Sequence, residues 1–157
     1  HGVHGDYIRG LAAIGPQFHR FAADDLVSMR IHGVKPDYVQ AMAAIGPAFS
    51  SLDAKDLVSF RIHGAKPDMV AAFVRHGQGA LKAGDVTAMA IHGVTAAYIE
   101  EMAAAGFKGF SADALVQMRI HGVTPAYARA LRQDGMTNLD ADQLVRLRIA
   151  GFQPKSR

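Results

Sequence analysis

Cysteine and tryptophan are both missing from the 157 residues, and aromatic residues make up only 8% of them. Without cysteine the chain has no disulfide bonds, no thiolate metal ligands and no cysteine nucleophile. No apolar run approaches the roughly 18 residues that a membrane span requires, and the sequence opens with no signal-peptide pattern. These absences exclude disulfide-stapled and thiol-dependent proteins and argue against insertion of this segment into a membrane.

A strong excess of one charge is also missing. The net charge is +3 and the pI about 9.4, but each stretch of about 30 residues is within one charge of neutral, and residues 150–157 carry two of the positive charges. Acidic and basic residues alternate along the chain. This pattern is typical of a solvated protein surface rather than of a polyanion-binding stripe.

What the sequence does contain is a short His-Gly signature that recurs at steps of 31, 31, 29, 29 and 29 residues. Self-similarity at such a period predicts a tandem array in which each unit buries its apolar face against its neighbours. The signature divides the chain into repeats one to five at 1–31, 32–62, 63–91, 92–120 and 121–149, with 150–157 as a truncated sixth. Its copies are His1-Gly2-Val3, His32-Gly33-Val34, His63-Gly64-Ala65, His92-Gly93-Val94 and His121-Gly122-Val123, with a divergent copy at Ala150-Gly151-Phe152.

Each repeat is predicted to begin with a helix of about nine or ten residues. Pro36 and Pro125 suit the first helical position, and Thr124 is a good N-cap. Apolar residues then recur at helical spacing, as in Tyr98, Ile99, Met102 and Ala105 and in Tyr38, Val39, Met42 and Ile45. A glycine marks the predicted end of each first helix: Gly15, Gly46, Gly77, Gly106 and Gly135.

A second helix follows in each repeat and ends at the His-Gly pair. Asp53, Ser111 and Asp140 are placed to cap it, and Gln143 completes a capping box with Asp140. The predicted apolar set is Leu57, Val58, Phe60 and Ile62 in repeat two, and Leu115, Val116, Met118 and Ile120 in repeat four. Nothing predicts a strand. We therefore predict an all-α, α-solenoid-like array of helix pairs with about ten short helices.

The His-Gly turns are predicted to be structural. Their histidines, His32, His63, His92 and His121, lie at helix C-termini, where an imidazole can satisfy terminal carbonyls and favour the helix dipole. Helices packed side by side are about 8–10 Å apart, too far for equivalent histidines to share a metal ion. We expect no metal site and no cofactor.

An arginine precedes the His-Gly pair in most repeats: Arg30, Arg61, Arg119 and Arg148. The favoured interpretation pairs each with a carboxylate such as Asp25, Asp56 or Asp113, and the alternative is an exposed ligand-binding ladder. A tyrosine recurs in the first turn of the first helix (Tyr7, Tyr38, Tyr98, Tyr127), where it is expected to pack between layers.

Repeat three departs from the others. Met69 replaces the tyrosine, Ala90 replaces the arginine, Lys82 occupies the cap position, and Gly84 enters the first turn of the second helix, where glycine costs about 1 kcal/mol relative to alanine. Its polar loop is expected to be flexible. Drift in a tolerant array explains these changes; the alternative is a candidate contact site at Arg75, His76 and Gln78.

No serine lies in a nucleophile elbow, and no glycine-rich phosphate loop or catalytic carboxylate pair occurs, so we expect no enzyme activity. The favoured function is a non-catalytic protein-interaction, sensor or scaffold module that holds a protein or cell-envelope ligand. The alternative is nucleic-acid binding through helix-hairpin-helix-like turns, whose backbone N–H groups would hold phosphate. End-to-end self-association through the terminal faces is a further expectation.

The unit His121-Gly122-Val123-Thr124-Pro125-x-Tyr127, with the preceding Ala112-Asp113-x-Leu115-Val116, is similar to tandem repeats of several bacterial proteins. Such repeats occur in C-terminal regions of some membrane-embedded zinc metallopeptidases related to penicillin sensor-transducers. The resemblance covers residues 1–149, but the peptidase zinc motif is absent, so it implies no proteolysis. It implies a periplasmic or otherwise extracytoplasmic accessory segment. Because the chain begins in phase with the repeat at His1, we expect a fragment of a larger bacterial protein.

Overall fold

Ten α-helices and two short 3₁₀ segments form the regular structure of residues 3–155, the part of the chain that the computed structural model describes. No strand occurs in this part, so the predicted all-α fold is confirmed. His1 and Gly2 of the first signature, and residues 156–157 of the tail, lie outside the described residues. The helices are α1 Gly5–Ala12, α2 Ala23–Ile31, α3 Pro36–Ala43, α4 Ala54–Ile62, α5 Pro67–His76, α6 Ala83–Ile91, α7 Ala96–Ala104, α8 Ala112–Ile120, α9 Pro125–Gln133 and α10 Ala141–Ile149.

The chain groups into two compact parts, His1–Pro67 and Asp68–Arg157, which we call the N-terminal body and the C-terminal body. The N-terminal body contains α1 to α4. The C-terminal body contains α6 to α10 and all of α5 except its first residue, Pro67. No helix in residues 3–155 has both the length and the apolar character needed to cross a membrane.

Successive repeats pack like on like. In the N-terminal body the first helices α1 and α3 are in contact, and so are the second helices α2 and α4. In the C-terminal body α7 packs on α9, while α6, α8 and α10 pack in sequence. Helices this short are marginal alone and gain their stability from such neighbours. The predicted tandem packing of helix pairs is therefore present within each body.

The periodic apolar residues of the first helices form the core, as predicted. Tyr98, Ile99, Met102 and Ala105 are all buried, and of their counterparts in repeat two only Ile45 is partly exposed. No charged or polar side chain is buried among the described residues.

A Schellman turn ends each second helix. In repeat four the N–H of Val123 donates to the carbonyl of Met118 (2.8 Å), and the N–H of Gly122 donates to that of Arg119 (3.2 Å). Gly122 has a φ of 73°, in the left-handed region that costs glycine nothing. The side chains of Val123 and Met118, the two residues that the 2.8 Å hydrogen bond joins, are both buried. The same φ of 73–74° occurs at Gly33, Gly64, Gly93 and Gly151.

The first helices do not all end in the same way, although one glycine stop was predicted for all. Gly77 follows α5 without a positive φ, and its N–H donates to the carbonyl of Phe73 (2.6 Å). Gly106 and Gly135 have a φ of 90°, which fits a C-terminal glycine. Gly15 and Gly46 are extended instead (φ 169°) and lead into 3₁₀ segments at Pro16–Arg20 and Pro47–Phe49. The following proline disfavours the helical region for the residue before it, which accounts for the difference.

The predicted caps of the second helices are in place. Ser111 Oγ accepts the N–H of Ala114 (3.1 Å), and Asp140 exchanges both capping-box hydrogen bonds with Gln143 (2.8 and 2.9 Å). Asp53 caps α4 by accepting the N–H of Asp56 (2.8 Å). At Lys82 no side-chain cap is present, but the backbone N–H of Lys82 donates to the Asp85 carboxylate (2.9 Å). Helix α6 is nine residues long, the same length as α8. The predicted weakening of repeat three does not shorten its helix.

Candidate functional site

A buried tyrosine joins each of four repeats to the turn that opens the next one. Tyr98 lies in the first turn of α7, and its hydroxyl donates to the carbonyl of Val123, 2.7 Å away at the His-Gly turn of repeat five. Both groups are buried, so this hydrogen bond is shielded from water. The equivalent bonds are Tyr7 to Val34 (2.6 Å), Tyr38 to Ala65 (2.6 Å) and Tyr127 to Phe152 (2.8 Å).

The repeat arginines cover these tyrosine rings. Arg119 Cζ lies 4.8 Å from the centroid of Tyr98, and Arg148 Cζ lies 4.9 Å from that of Tyr127. In the N-terminal body the distances are 5.6 Å for Arg30 over Tyr7 and 5.0 Å for Arg61 over Tyr38. All are within the range of a cation–π interaction.

The favoured prediction of carboxylate partners for these arginines is wrong. Within residues 3–155 none of the four repeat arginines (Arg30, Arg61, Arg119, Arg148) forms an ion pair. Asp25, one of the predicted partners, instead accepts the backbone N–H of Ala22 (3.2 Å) at the start of α2. The aspartates lie in the first turn of the second helices and the arginines in the last turn, five or six residues further along the same helix.

Burial and the guanidinium act on the tyrosine hydroxyls in opposite directions. Burial raises the pKa of Tyr98 to about 12, and the positive charge of Arg119 lowers it in part. The pKa values of Tyr7 and Tyr38 are also raised to about 12 by burial, and that of Tyr127 is raised for the same reason. The four phenols are therefore neutral hydrogen-bond donors at physiological pH.

The turn glycines leave room for the guanidinium groups. A Cβ on Gly93 would stand 3.3 Å from Arg119 Nη2, and one on Gly122 would stand 3.7 Å from Arg148 Nε. Each of these arginines thus lies between the tyrosine of its own repeat and the His-Gly turn that opens that repeat. The tyrosine ring on one side of the guanidinium and the His-Gly turn on the other together define its position.

Repeat three lacks both partners of this arrangement. Met69 stands in the tyrosine position and Ala90 in the arginine position. The two departures noted in the sequence are therefore one structural change. Sequence reasoning missed the pairing, although the joint loss of both residue types in one repeat was a signal that could have revealed it.

An exposed isoleucine ends every second helix. These five repeat isoleucines (Ile31, Ile62, Ile91, Ile120, Ile149) are between 51% and 65% exposed. Ile62 and Ile120, two members of the apolar sets predicted for the second helices, lie outside the core, whereas Leu115 and Met118 are buried. Ile120 follows Leu115 by five residues, which turns it about 140° away around a helix of 3.6 residues per turn.

The turn histidines divide into two pairs. Nδ1 of His32 lies 2.8 Å from the carbonyl oxygen of Ser28, and Nδ1 of His63 lies 2.8 Å from that of Ser59, as expected for an imidazole at a helix end. No such bond is described for His92 and His121, which are exposed. Within residues 3–155 no three histidine or carboxylate side chains are grouped so that they could hold a metal ion.

The candidate contact residues of repeat three belong to an intramolecular cluster. Glu100 on α7 accepts hydrogen bonds from Arg75 and from His76 Nε2 (2.7 Å), and these hydrogen bonds, that from Arg75 first, lower its pKa. The N–H of Gln78 donates to the carbonyl of Phe110 (3.0 Å), while the N–H of Gly109 donates to that of His76 (2.7 Å). The loop that was expected to be flexible is thus tied to the loop before α8. The Gln78 side chain is exposed.

A groove of about 770 Å³ lies in the C-terminal body, between the N-terminal ends of α8 and α10. Its acidic lining comes from Asp113, Asp140 and Asp142, with Lys108 as the basic residue. The repeat arginines and isoleucines are at the opposite ends of the same helices. The two ends of this helix layer therefore differ in charge.

Comparison of the chain with protein-family models, with curated proteins and with solved structures finds no match. The function must accordingly be argued from the geometry of the chain itself.

Proposed function

We propose that the chain is a non-catalytic protein-binding repeat module whose contact surface includes the repeat isoleucines. The observation that carries the proposal is the exposure of a large apolar side chain at the same position of all five repeats. In the C-terminal body, Ile91, Ile120 and Ile149 end the three adjacent helices α6, α8 and α10. Stacking of these helices brings the three side chains to one edge of the layer.

Single exposed apolar residues are normal on protein surfaces, but contiguous exposed apolar groups are typical of interaction sites. In the C-terminal body the exposed apolar group consists of Ile91, Ile120 and Ile149 themselves, because Val116, one turn before Ile120 on α8, is buried. Three apolar side chains at one edge of a helix layer are typical of a surface that binds another polypeptide.

The nucleic-acid alternative has less support. Thr95 and Thr124 at the starts of α7 and α9 accept the N–H groups of Tyr98 and Tyr127, each at 3.1 Å. These are among the backbone donors that a helix-hairpin-helix turn would offer to phosphate. The near-neutral charge of every repeat also gives little attraction for a polyanion.

The proposed role as an accessory or sensing segment of a larger bacterial protein comes from the resemblance of the repeat unit. An exposed, partner-binding edge suits such a segment.

Association between copies is proposed at the chain ends: Ile8 is 45% exposed, whereas Val39, Val70, Ile99 and Ala128 at the same repeat position are buried. Sedimentation equilibrium of the chain and of Ile8→Ser tests it, and identical monomer masses at all concentrations would contradict it.

The protein-binding proposal is tested by selecting peptides from a displayed random library on the immobilised full chain. The selected peptides are then measured against Ile91→Ser/Ile120→Ser/Ile149→Ser and against the control Val74→Ser, which removes an equally exposed apolar residue at another site. We expect the triple variant to lose binding at least tenfold and the control to retain it. Because the isoleucines are exposed, the triple variant should keep its helical circular dichroism signal.

Peptides that bind the triple variant as well as the parent chain, or a selection that yields no binding peptide, would refute the proposal. A salt titration with duplex DNA addresses the alternative. A steep linear fall of the logarithm of the binding constant with the logarithm of salt concentration would favour nucleic acid.

A further inference from the structure

The repeat arginines are positioned but unpaired. In the C-terminal body Arg119 and Arg148 stack on Tyr98 and Tyr127 and, among the described residues, have no carboxylate partner. Stacking occupies one face of the planar guanidinium and leaves its N–H groups, which lie in the ring plane, directed to the sides. Such a group is ready to take a carboxylate in a bidentate pair, because little side-chain freedom remains to be lost.

The arginines and the exposed isoleucines lie at the same ends of the second helices. Each arginine directly precedes the isoleucine of the same helix, so every repeat except repeat three presents a cation and an apolar side chain at one helix end. We propose that this edge of the C-terminal body binds an acidic amphipathic helix of a partner protein, with one carboxylate for each repeat arginine and apolar residues on the isoleucines. This inference rests on the proposed protein-binding function and specifies the chemistry of the partner.

Spacing selects a helix as the conformation of the partner. Adjacent packed helices are about 8–10 Å apart, so equivalent positions on α8 and α10 are separated by about that distance. Two turns of an α-helix, seven residues, advance about 10.5 Å and return to the same face. In an extended strand the same distance is about three residues, which point to opposite faces. Carboxylates seven residues apart on one helix therefore fit Arg119 and Arg148.

Charge at the opposite ends of α8 and α10 restricts where this partner can lie. The groove there is lined by Asp113, Asp140 and Asp142, which repel carboxylates. An acidic helix is consequently favoured only at the arginine end. An uncharged apolar helix would lack this preference, so dependence on carboxylates distinguishes the inference from general apolar binding.

The test uses synthetic peptides of about three heptads with leucines on one face and glutamates at positions seven residues apart. Binding to the full chain is measured by fluorescence anisotropy. We expect replacement of the two facing glutamates by glutamine to weaken binding on the order of tenfold to a hundredfold, at threefold to tenfold for each pair. Arg119→Gln/Arg148→Gln should weaken binding of the glutamate peptide equally and leave the glutamine peptide unaffected.

A matched control removes the same charge elsewhere. Lys108 and Arg129 are exposed and lie outside the arginine edge, so Lys108→Gln/Arg129→Gln should reduce binding less than threefold. A gain-of-binding variant completes the design. Met69→Tyr/Ala90→Arg supplies the missing tyrosine and arginine of repeat three and should tighten a peptide with three heptad-spaced glutamates threefold to tenfold, with no effect on the peptide with two.

Two results would overturn the inference. Equal binding of glutamate and glutamine peptides would show that carboxylates are not recognised, although loss of binding in the isoleucine variant would still support the proposed function. Stronger dependence on the arginines for duplex DNA than for the acidic peptide would assign the edge to phosphate instead. Urea denaturation of each variant shows whether it is folded as stably as the parent chain. The glutamate and glutamine peptides are both measured on the parent chain, so the difference between them is unaffected by how any variant folds.

Discussion

Tyr98→Phe isolates the hydrogen bond that joins repeats four and five. The substitution removes one oxygen and keeps the ring beneath Arg119. In the native chain the hydroxyl donates to the carbonyl of Val123 at 2.7 Å, and Tyr98 is only 4% exposed. Loss of the donor leaves a buried carbonyl without this partner, and such a loss costs about 1–3 kcal/mol. We expect the free energy of unfolding to fall by that amount.

Tyr127→Phe is the matched comparison. Tyr127 makes the equivalent bond to the carbonyl of Phe152 at 2.8 Å, but that bond is only partly buried and Phe152 is 36% exposed. Water can replace the lost donor there, so we expect a cost of less than about 1 kcal/mol. The same atom is deleted in both variants, and only the burial of the acceptor differs.

Urea denaturation followed by circular dichroism at pH 7 measures both variants. At that pH the phenol of Tyr98 is neutral in the folded and unfolded states, since burial raises its folded pKa to about 12, so ionisation does not contribute. Repeat arrays can unfold in more than one step, so the slope of each transition must be unchanged before midpoints are compared. Equal losses for Tyr98→Phe and Tyr127→Phe, or no loss for Tyr98→Phe, would refute the role given to the buried hydrogen bond.

Three further predictions follow from the same geometry. Gly106→Ala should lower the free energy of unfolding by about 1 kcal/mol more than Gly135→Ala. Both glycines have a φ of 90°, but at Gly106 the new Cβ would take the place of Arg132 Nη1 and displace it from its hydrogen bond to the carbonyl of Ala105 (3.2 Å). Equal losses in urea denaturation would mean that this hydrogen bond contributes nothing. Met69→Tyr/Ala90→Arg should raise the free energy of unfolding by about 1 kcal/mol, through a new hydrogen bond and stacked pair, and should raise the urea midpoint with it. A lowered midpoint would indicate that the tyrosine overpacks the site. Stability should be constant from pH 7 to about pH 10 and should fall between pH 10 and 12 in pH-jump denaturation. A group whose folded pKa is raised above its unfolded value stabilises the fold fully below the unfolded pKa, and this contribution is lost as pH rises through the folded pKa. A transition complete below pH 10 would contradict the raised pKa of Tyr7, Tyr38 and Tyr98.

The fold was predictable because its signals are local. The His-Gly signature sets the period, and caps such as Ser111 and the apolar spacing of Tyr98, Ile99 and Met102 act within one helix turn or two. The exception at Gly15 was also a local effect, since Pro16 excludes the helical region for the residue before it. Element type and order could therefore be deduced from one sequence.

The candidate site was less predictable because its contacts join residues far apart in sequence. Arg119 covers a ring 21 residues away, and a charged side chain can pair with any nearby carboxylate, so sequence alone favoured the more common partner. The exposure of the isoleucines was missed for a different reason. Ile120 is apolar and lies at the end of an apolar helix, but its angle around that helix places it outside the core.

The proposed binding edge depends on the packing of successive repeats, because its arginine stacks on a tyrosine that is hydrogen-bonded to the next repeat. The ring that positions Arg119 is itself fixed by a hydrogen bond to the turn opening repeat five. If that turn separates from α7, the ring loses its anchor and the guanidinium loses its platform. A partner that binds the positioned arginine must then also stabilise the contact between repeats, by the linkage between binding and folding. Acidic-peptide binding should accordingly raise the urea midpoint of the parent chain and raise that of Tyr98→Phe less.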